Sequence, residues 1–581
     1  MLKGDFISNL GKVYGIYTGG FIGFVILLAI LEQMGVPNQI IGYLFVFMTI
    51  GIYALIGVMA RTAQVSEYYV AGRRVPAIYN GMATGSDWMS GASFVGMAGT
   101  LYLLGYDGLA FVLGWTGGYV LVAVLLAPYL RKFGAFTVPD FLAVRYGGNI
   151  ARSVGILVLI CCSFTYVTAQ IYATGIITSR FLGLSFEVAV FAGLLGILLC
   201  SMLGGMRAVT WTQVAQYIIL IIAYLTPVVI LSAQITGVPI PQLMYGGILE
   251  KIAVMETQLG ITKAHVQPFT SYDPLNYFAL IFCLMLGTAS LPHILMRYFT
   301  TPSVREARIS VGWSLLFIFL LYFTAPSYAA FAKYEVLTHV VGQPIASLPA
   351  WVKAWGDIGL VTIKDANLDG ILQWAELNIN TDVIVLATPE IAGLPYVIAG
   401  LVAAGGLAAA LSTADGLLLA IANALSHDIY YKMVDPKADS KRRLIVARVL
   451  LVCVAVIAAW LASTKPSDIL SMVAWAFSIA ASGLFAPLVL GVWWKRATSA
   501  GAVCGMIAGF GVCMYYLIAT QYGGMPLWFG VRNISAGLFG IPAAFVVTWV
   551  VSLLTPAPSK DMQDFVDSIR VPRGGPVMQE N

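Results

Sequence analysis

The chain has 581 residues, 59% of them hydrophobic and only 10% charged. Soluble domains carry about 25% charged residues, so composition excludes a soluble protein and points to a helical membrane protein that crosses the lipid bilayer many times. The net charge of +5 is a matter of where Lys and Arg sit around the spans, and no nucleic-acid partner is expected.

Fourteen spans are predicted, near 14–34, 39–61, 76–104, 107–129, 149–181, 186–203, 211–236, 276–300, 307–331, 393–431, 443–463, 468–494, 498–520 and 532–555. The first is not a signal peptide: its apolar run is too long, and Glu32-Gln33-Met34-Gly35 is a poor cleavage site. With the N-terminus in the cytoplasm, 24 Lys and Arg fall on the cytoplasmic side and 8 on the far side. The positive-inside rule then predicts both termini in the cytoplasm.

Two spans are interrupted by small and polar residues, the third at Gly85-Ser86-Asp87-Trp88-Met89-Ser90-Gly91-Ala92-Ser93 and the eighth at Gly287-Thr288-Ala289-Ser290-Leu291-Pro292-His293. A broken span frees backbone groups that lipid cannot satisfy, so breaks persist where they line a site inside protein. Paired breaks in corresponding positions point to the site of a secondary transporter; helices kinked to pack on glycines are the alternative.

The segment Thr137 to Leu142 reads as an interfacial helix stopped by Gly147-Gly148. Long far-side loops are expected at 237–275 and 332–392. The tail 556–581 reads as mobile, with at most a weak amphipathic turn on Phe565, Val566 and Ile569. No output domain is expected after it. His427-Asp428 reads as helix-end capping. The seven cysteines read as small buried hydrophobes.

The far-side loop carries Asp365-Ala366-Asn367-Leu368-Asp369-Gly370-Ile371-Leu372-Gln373-Trp374-Ala375-Glu376, which fits the EF-hand calcium pattern at every position. Asp365, Asn367 and Asp369 would give side-chain oxygens, Ile371 a carbonyl, Gln373 a water-mediated contact and Glu376 two oxygens, with Gly370 making the turn. A structural calcium ion (Ca2+) is expected there.

Five spans between 76 and 236 and five between 276 and 494 each begin with a broken helix. An odd number per repeat makes the second copy enter from the opposite side. The expected fold is an all-α polytopic membrane protein with a five-plus-five inverted-repeat transporter core. Two helices precede it (1–75) and two follow (495–555), with loop 237–275 between the repeats.

Within the tenth span, Ala409-Ala410-Leu411-Ser412-Thr413 places two hydroxyls among small residues, a setting that suits a bare monovalent cation. Hydroxyls bonded back to their own helix are the alternative. Together with Gly204-Gly205-Met206-Arg207-Ala208-Val209-Thr210-Trp211-Thr212-Gln213 and Pro292-His293-Ile294-Leu295-Met296-Arg297-Tyr298-Phe299, this motif makes the chain resemble the sodium:solute symporter family. Ser86-Asp87-Trp88-Met89-Ser90 is most similar to the bacterial acetate permeases. The resemblance covers nearly all of 39–555. It implies a sodium (Na+) site between the first and eighth core helices, with carbonyls from Ser86, Met89 and Ala409 and hydroxyls from Ser412 and Thr413. Sugar and proline carriers usually have Asp where this chain has Gln213, and proline carriers place the acid of the first broken helix one residue after Asp87.

The second half of the first broken helix starts near Ser90, and its N–H groups and dipole favour an anionic substrate. Asp87, Trp88, Ser90 and Ser93 are candidate substrate contacts. Tyr166 and Gln170, one turn apart, face the same cavity or pack in the core. Arg297 reads as a gate contact or as an interfacial anchor. The expected function is sodium-coupled symport of a small monocarboxylate such as acetate. The rivals are a transporter-like sensor with a separate signalling partner and a proton-coupled carrier of another small organic solute. A small membrane subunit is a candidate partner, and no enzymatic constellation is found.

Overall fold

The computed structural model describes residues 5–571 and 576–577, apart from the side chains of 5, 199, 200 and 203. Cys200 and the end of the tail thus lie outside the described side chains. Among the described residues, twelve helices are long and apolar enough to cross a bilayer. The run Ala92–Phe133 merges half of the first broken helix with the next span, and Phe186–Leu198 is a shorter apolar helix. These two features account for the difference from the expected fourteen. Gly205, at φ 54° and ψ −142°, breaks the run between Phe186 and Thr236, and a Cβ there would strike the Tyr68 ring and carbonyl.

Tyr396–Asn423 forms the centre of the molecule and is buried along nearly all of its length. Its small residues explain this place. A Cβ on Gly405 would meet the Phe94 ring, and one on Gly416 would meet the Asp87 carboxylate. In a bilayer, where lipid is as apolar as leucine, such close approach is what holds helices together. Leu10–Gln33 lies at the edge and turns Ile16, Ile22, Ile26 and Ile30 outward.

Two ends are distinct. The loop end carries the helix Pro241–Gln258, the antiparallel strands Val361–Ile363 and Leu377–Ile379, and the short helix Ile384–Ile391. The tail end carries Val138–Tyr146 and Lys560–Arg570.

Two expectations are corrected at the tail end. The first concerns the tail, which is docked rather than mobile over 560–570. Val566 and Ile569 are buried, Phe565 meets Phe133 edge-on at 5.7 Å, and Lys495 pairs with Asp567 at 3.0 Å. Second, His427-Asp428 is no cap. A π-helical stretch, Ala424–Val434, widens the helix so that both neighbours point inward. His427 Nε2 lies 2.8 Å from Asp140 Oδ2, and Asp428 and Asp140 share Arg152, each at 2.9 Å. Asp140, His427 and Asp428 bring ligand atoms within 4.8 Å of one another, but Arg152 and Arg443 already pair with them, so the cluster is an ion-pair network. Two further arginines of this end are buried. Arg145 reaches the carbonyls of Gly491, Trp494 and Ala497, and Arg131 those of Thr301 and Pro302.

Candidate functional site

The two broken helices meet in the middle of the molecule. The first runs Ala77–Trp88, unwinds at Met89 (φ −78°, ψ 69°) and resumes through a π-helical turn, Ala92–Gly96, into Met97–Leu104. The unwound part is shorter than the small-residue run suggests, because Gly85 to Trp88 stay helical. Its effect on hydrogen bonding is specific. The N–H of Ser90 turns to the Trp88 carbonyl at 2.9 Å, and that of Gly91 donates to Gln170 Oε1 at 2.7 Å. The carbonyls of Ser86 and Asp87 thereby lose their helical partners.

Two hydroxyls take their place. Ser412 Oγ donates to the Ser86 carbonyl at 2.8 Å and lies 2.9 Å from the Ala409 carbonyl. Thr413 Oγ1 donates to the Asp87 carbonyl at 2.8 Å and lies 3.3 Å from the Ala409 carbonyl. Four of the five residues expected at an ion site therefore converge, with the Asp87 carbonyl as an addition. Met89 is buried at the break. The hydroxyls bond across to another helix as well as back to their own, so simple back-bonding is not their whole role.

Arg297 corrects the interfacial reading. It lies on the second broken helix, which runs Pro274–Thr288 and Pro292–Phe299, and it is fully buried. Its Nε donates to Asp87 Oδ2 at 3.0 Å and one terminal nitrogen to Thr210 Oγ1 at 3.0 Å. The other bonds Gln213 Oε1. Gln213 Nε2 in turn donates to the Ser412 carbonyl at 2.7 Å. The Asp87 carboxylate is thus paired with Arg297 and lies against Gly416. Gln213, marked by sequence only as a departure from sugar and proline carriers, is the link between the arginine and the hydroxyl pair.

On the other side of the break stands a cluster of aromatic rings. The Phe477 ring lies 5.7 Å from Trp88, 5.9 Å from Trp115 and 5.7 Å from Tyr166. Tyr166 meets His293 at 5.5 Å, and Ser93 Oγ bonds Tyr322 OH at 2.9 Å. Trp88, Tyr166 and Gln170 therefore belong to one place, as do Ser90 and Ser93 on the adjoining turn. Trp88 Nε1, Trp115 Nε1, Gln170 Nε2 and both ring nitrogens of His293 are buried without a hydrogen-bond partner. Phe477, Trp115 and His293 were not foreseen as site residues. His293 alone carried a signal, a polar residue directly after the proline of the second break.

At the loop end, Asp365 Oδ2 accepts from Gly370 N–H, Asn367 Oδ1 from Asp369 N–H and Asp369 Oδ1 from Ile371 N–H. Glu376 accepts from Ala366 and Gln373 N–H. The N–H of Ile371, with the neighbouring amide hydrogen bonds, holds the Asp369 carboxyl below its usual range. The flanks are the strands Val361–Ile363 and Leu377–Ile379 rather than helices. Backbone bonds from Leu372 to Gln343 and from Ile345 to Gly370 fasten the loop to 342–345.

Comparison with known proteins agrees with this architecture. The description "Sodium:solute symporter family" matches residues 68–509. An uncharacterized symporter of Cupriavidus necator is 45% identical over 97% of this chain and 99% of its own. The uncharacterized symporter YwcA of Bacillus subtilis is 28% identical over 87% and 92%. The solved structure of a Na+-coupled sialic acid symporter, substrate-bound and outward-open, superposes with a TM-score of 0.68 at 18% identity, covering 90% of this chain and 99% of that one. It shares the fold, the five-plus-five inverted-repeat arrangement of transporters. A protein of this kind carries a small solute across a membrane with sodium and is a transporter, not an enzyme. The chain belongs to the sodium:solute symporter family.

Proposed function

We propose that this symporter carries a small monocarboxylate, acetate or a close relative, with sodium across the bacterial inner membrane. The observation that carries the reading is the set of unpartnered donors around Phe477: two indole N–H groups, an amide and an imidazole. Donors buried without acceptors are costly unless a ligand brings acceptors. A carboxylate brings two oxygens and no donor. The close aromatic walls favour a short chain, and the outer half-helix that begins at the break adds its N-terminal dipole. The likeness of Ser86-Asp87-Trp88-Met89-Ser90 to acetate permeases supports the same substrate.

Sodium is assigned to the carbonyls of Ser86, Met89 and Ala409 and the hydroxyls of Ser412 and Thr413. A cation would draw both hydroxyl oxygens toward itself in place of the carbonyls to which they donate. Arg297 acts as a lock between the two breaks. The repeats are assigned to 76–236 and 276–494, and the tail end to the cytoplasm, on the 24-to-8 distribution of Lys and Arg. The loop 365–376 is assigned a structural calcium ion, because its main-chain amides already hold Asp365, Asp369 and Glu376 in a ring.

Uptake of labelled acetate into proteoliposomes tests the central reading. An inward sodium gradient should drive accumulation, and a proton gradient without sodium should not. Sodium-dependent binding of an amine or a sugar, with acetate failing to compete, would overturn the substrate assignment.

A further inference from the structure

One buried acid of the loop end has no basic partner. Asp382 sits between the strand Leu377–Ile379 and the helix Ile384–Ile391 and is fully buried. Its Oδ2 accepts a long hydrogen bond, 3.4 Å, from Ile469 N–H. Its Oδ1 has no partner and faces the outer half of the first broken helix, 3.4 Å from where a Cβ on Gly96 would stand. A second acid lies beside it. Asp468 caps the helix that starts at Ile469, accepting from Ser471 N–H at 2.8 Å and Ser471 Oγ at 2.7 Å. The other ionisable groups near this pair are phenols, Tyr172 beside both acids and Tyr272 beside Asp468. Lys465, three residues before Asp468, lies over Phe186 at 4.6 Å, and Arg532 lies over Tyr272 at 4.5 Å.

The segment also covers the outer half of the first broken helix in the manner of a lid. The Thr381 carbonyl lies so close to Gly99 that any Cβ there would collide with it, so residues 381–391 rest directly on the outer half-helix that leads to the break. We propose that Asp382 is a proton-binding site, and that seating this lid on the outer half-helix takes up one proton from the adjoining solution. The carboxylate oxygen Oδ1 gains the proton and becomes a neutral acid, and the proton returns to water when the lid lifts. A proton suits the place better than sodium, because Oδ1 stands beside Gly96 without a polar partner, where a sodium ion needs a shell of oxygens. Asp87, by contrast, has Arg297 as its cation.

Burial, then repulsion from Asp468, pushes the Asp382 carboxyl up to about 8. With the lid lifted and the acid in water, it returns to about 3.9. The seated form therefore binds the proton more tightly. Between about pH 4 and pH 8 each unit of rising pH weakens seating about tenfold, and above pH 8 the dependence levels off.

Hydrogen–deuterium exchange of the intact protein in nanodiscs, followed in peptides covering 380–392, tests this between pH 6 and pH 9. Each rate is divided by that of the Asp382→Asn variant at the same pH, which cancels the chemistry of exchange itself. The ratio should rise about fiftyfold from pH 6 to pH 8 and then flatten. A constant ratio would overturn the proposal. Should Asp382→Asn fail to fold, protection of the wild-type segment corrected for intrinsic exchange decides, and Asp468→Asn should move its fall to lower pH by removing the repelling charge. Protection that does not change with pH refutes the site.

Discussion

The pair Arg297–Asp87 offers a test of how the core is held. Both side chains are fully buried and lie 3.0 Å apart. Removing one partner of such a pair leaves an uncompensated charge and costs about 3–5 kcal/mol, whereas replacing both by apolar groups of similar volume is often nearly neutral. Arg297→Met removes the contacts to Asp87, Thr210 and Gln213 at once. At about 1.4 kcal/mol per factor of ten, this is a loss of two to three and a half decades in the folded population. Asp87→Leu leaves the guanidinium with hydroxyl and amide partners only and should cost a similar amount. The double variant should recover at least about 2 kcal/mol relative to the sum, because the penalty of each single change is the orphaned charge. A protein of many spans does not unfold in two states, so the measurement is the order of midpoints in a thermal scan in one detergent. Wild type should stand highest, the double variant next and both singles lowest. A double variant that melts at or below the lower single would show that the two charges do not compensate each other. Arg297→Met and the double variant should lose sodium-driven uptake, since Gln213 would no longer be fixed against Ser412.

Ser412→Ala and Thr413→Ala should each raise the sodium concentration for half-maximal uptake by about tenfold or more, since a hydrogen bond to a charged group is worth about 1.5–3 kcal/mol. Thr165→Ala, which loses only a bond to its own helix at the Cys161 carbonyl, should leave sodium dependence unchanged; equal effects at both places would refute the ion site. Gly416→Ala should abolish folding or transport because its Cβ would lie 2.9 Å from Asp87 Oδ2, whereas Gly312→Ala, with nothing within 4 Å, should be neutral in expression and uptake. Asp365→Ala with Glu376→Ala should abolish a calcium isotherm in the range of about 10⁻⁴–10⁻³ M, and an unchanged isotherm by calorimetry would dismiss the calcium assignment.

The parts of the site legible in sequence are those whose signal is local. A break is written in Gly, Ser and Pro inside an apolar run, and a pair of hydroxyls stands out on a helix of alanine and glycine. Arg297 was misplaced because its position, at the end of a span beside an aromatic pair, looks the same whether the span ends at the interface or folds into the core. Its partners Thr210 and Gln213 sit more than eighty residues away and meet it only through the fold. Phe477 and Trp115 carry no signal, since an aromatic ring in a span is ordinary core material. His427-Asp428 was read as a cap because neighbours on an α-helix point about 100° apart, and composition does not reveal a stretch wound with extra residues per turn. The tail failed for a related reason. Three apolar residues on a short polar segment form a face only when Phe133 supplies the other half.

Gln170 joins the proposed substrate contacts to the proposed ion site, and the connection makes a prediction that a ligand inventory would not. Its Oε1 takes the Gly91 N–H, which in an unbroken helix would bond the Asp87 carbonyl. Gln170→Leu removes that acceptor and keeps most of the volume. The Gly91 N–H, now buried and unpaired, gains about 1–3 kcal/mol by returning to the Asp87 carbonyl. The helix then tightens across Met89, and the carbonyl held by Thr413 is withdrawn. Sodium affinity should therefore fall although Gln170 touches no ion ligand, and substrate affinity should fall with it, because linkage makes the two effects reciprocal. Sodium binding measured without substrate separates this from a lost substrate contact. If Gln170→Leu weakens the substrate alone and leaves sodium binding at its wild-type value, the break is held open by other groups and the coupling does not run through Gly91.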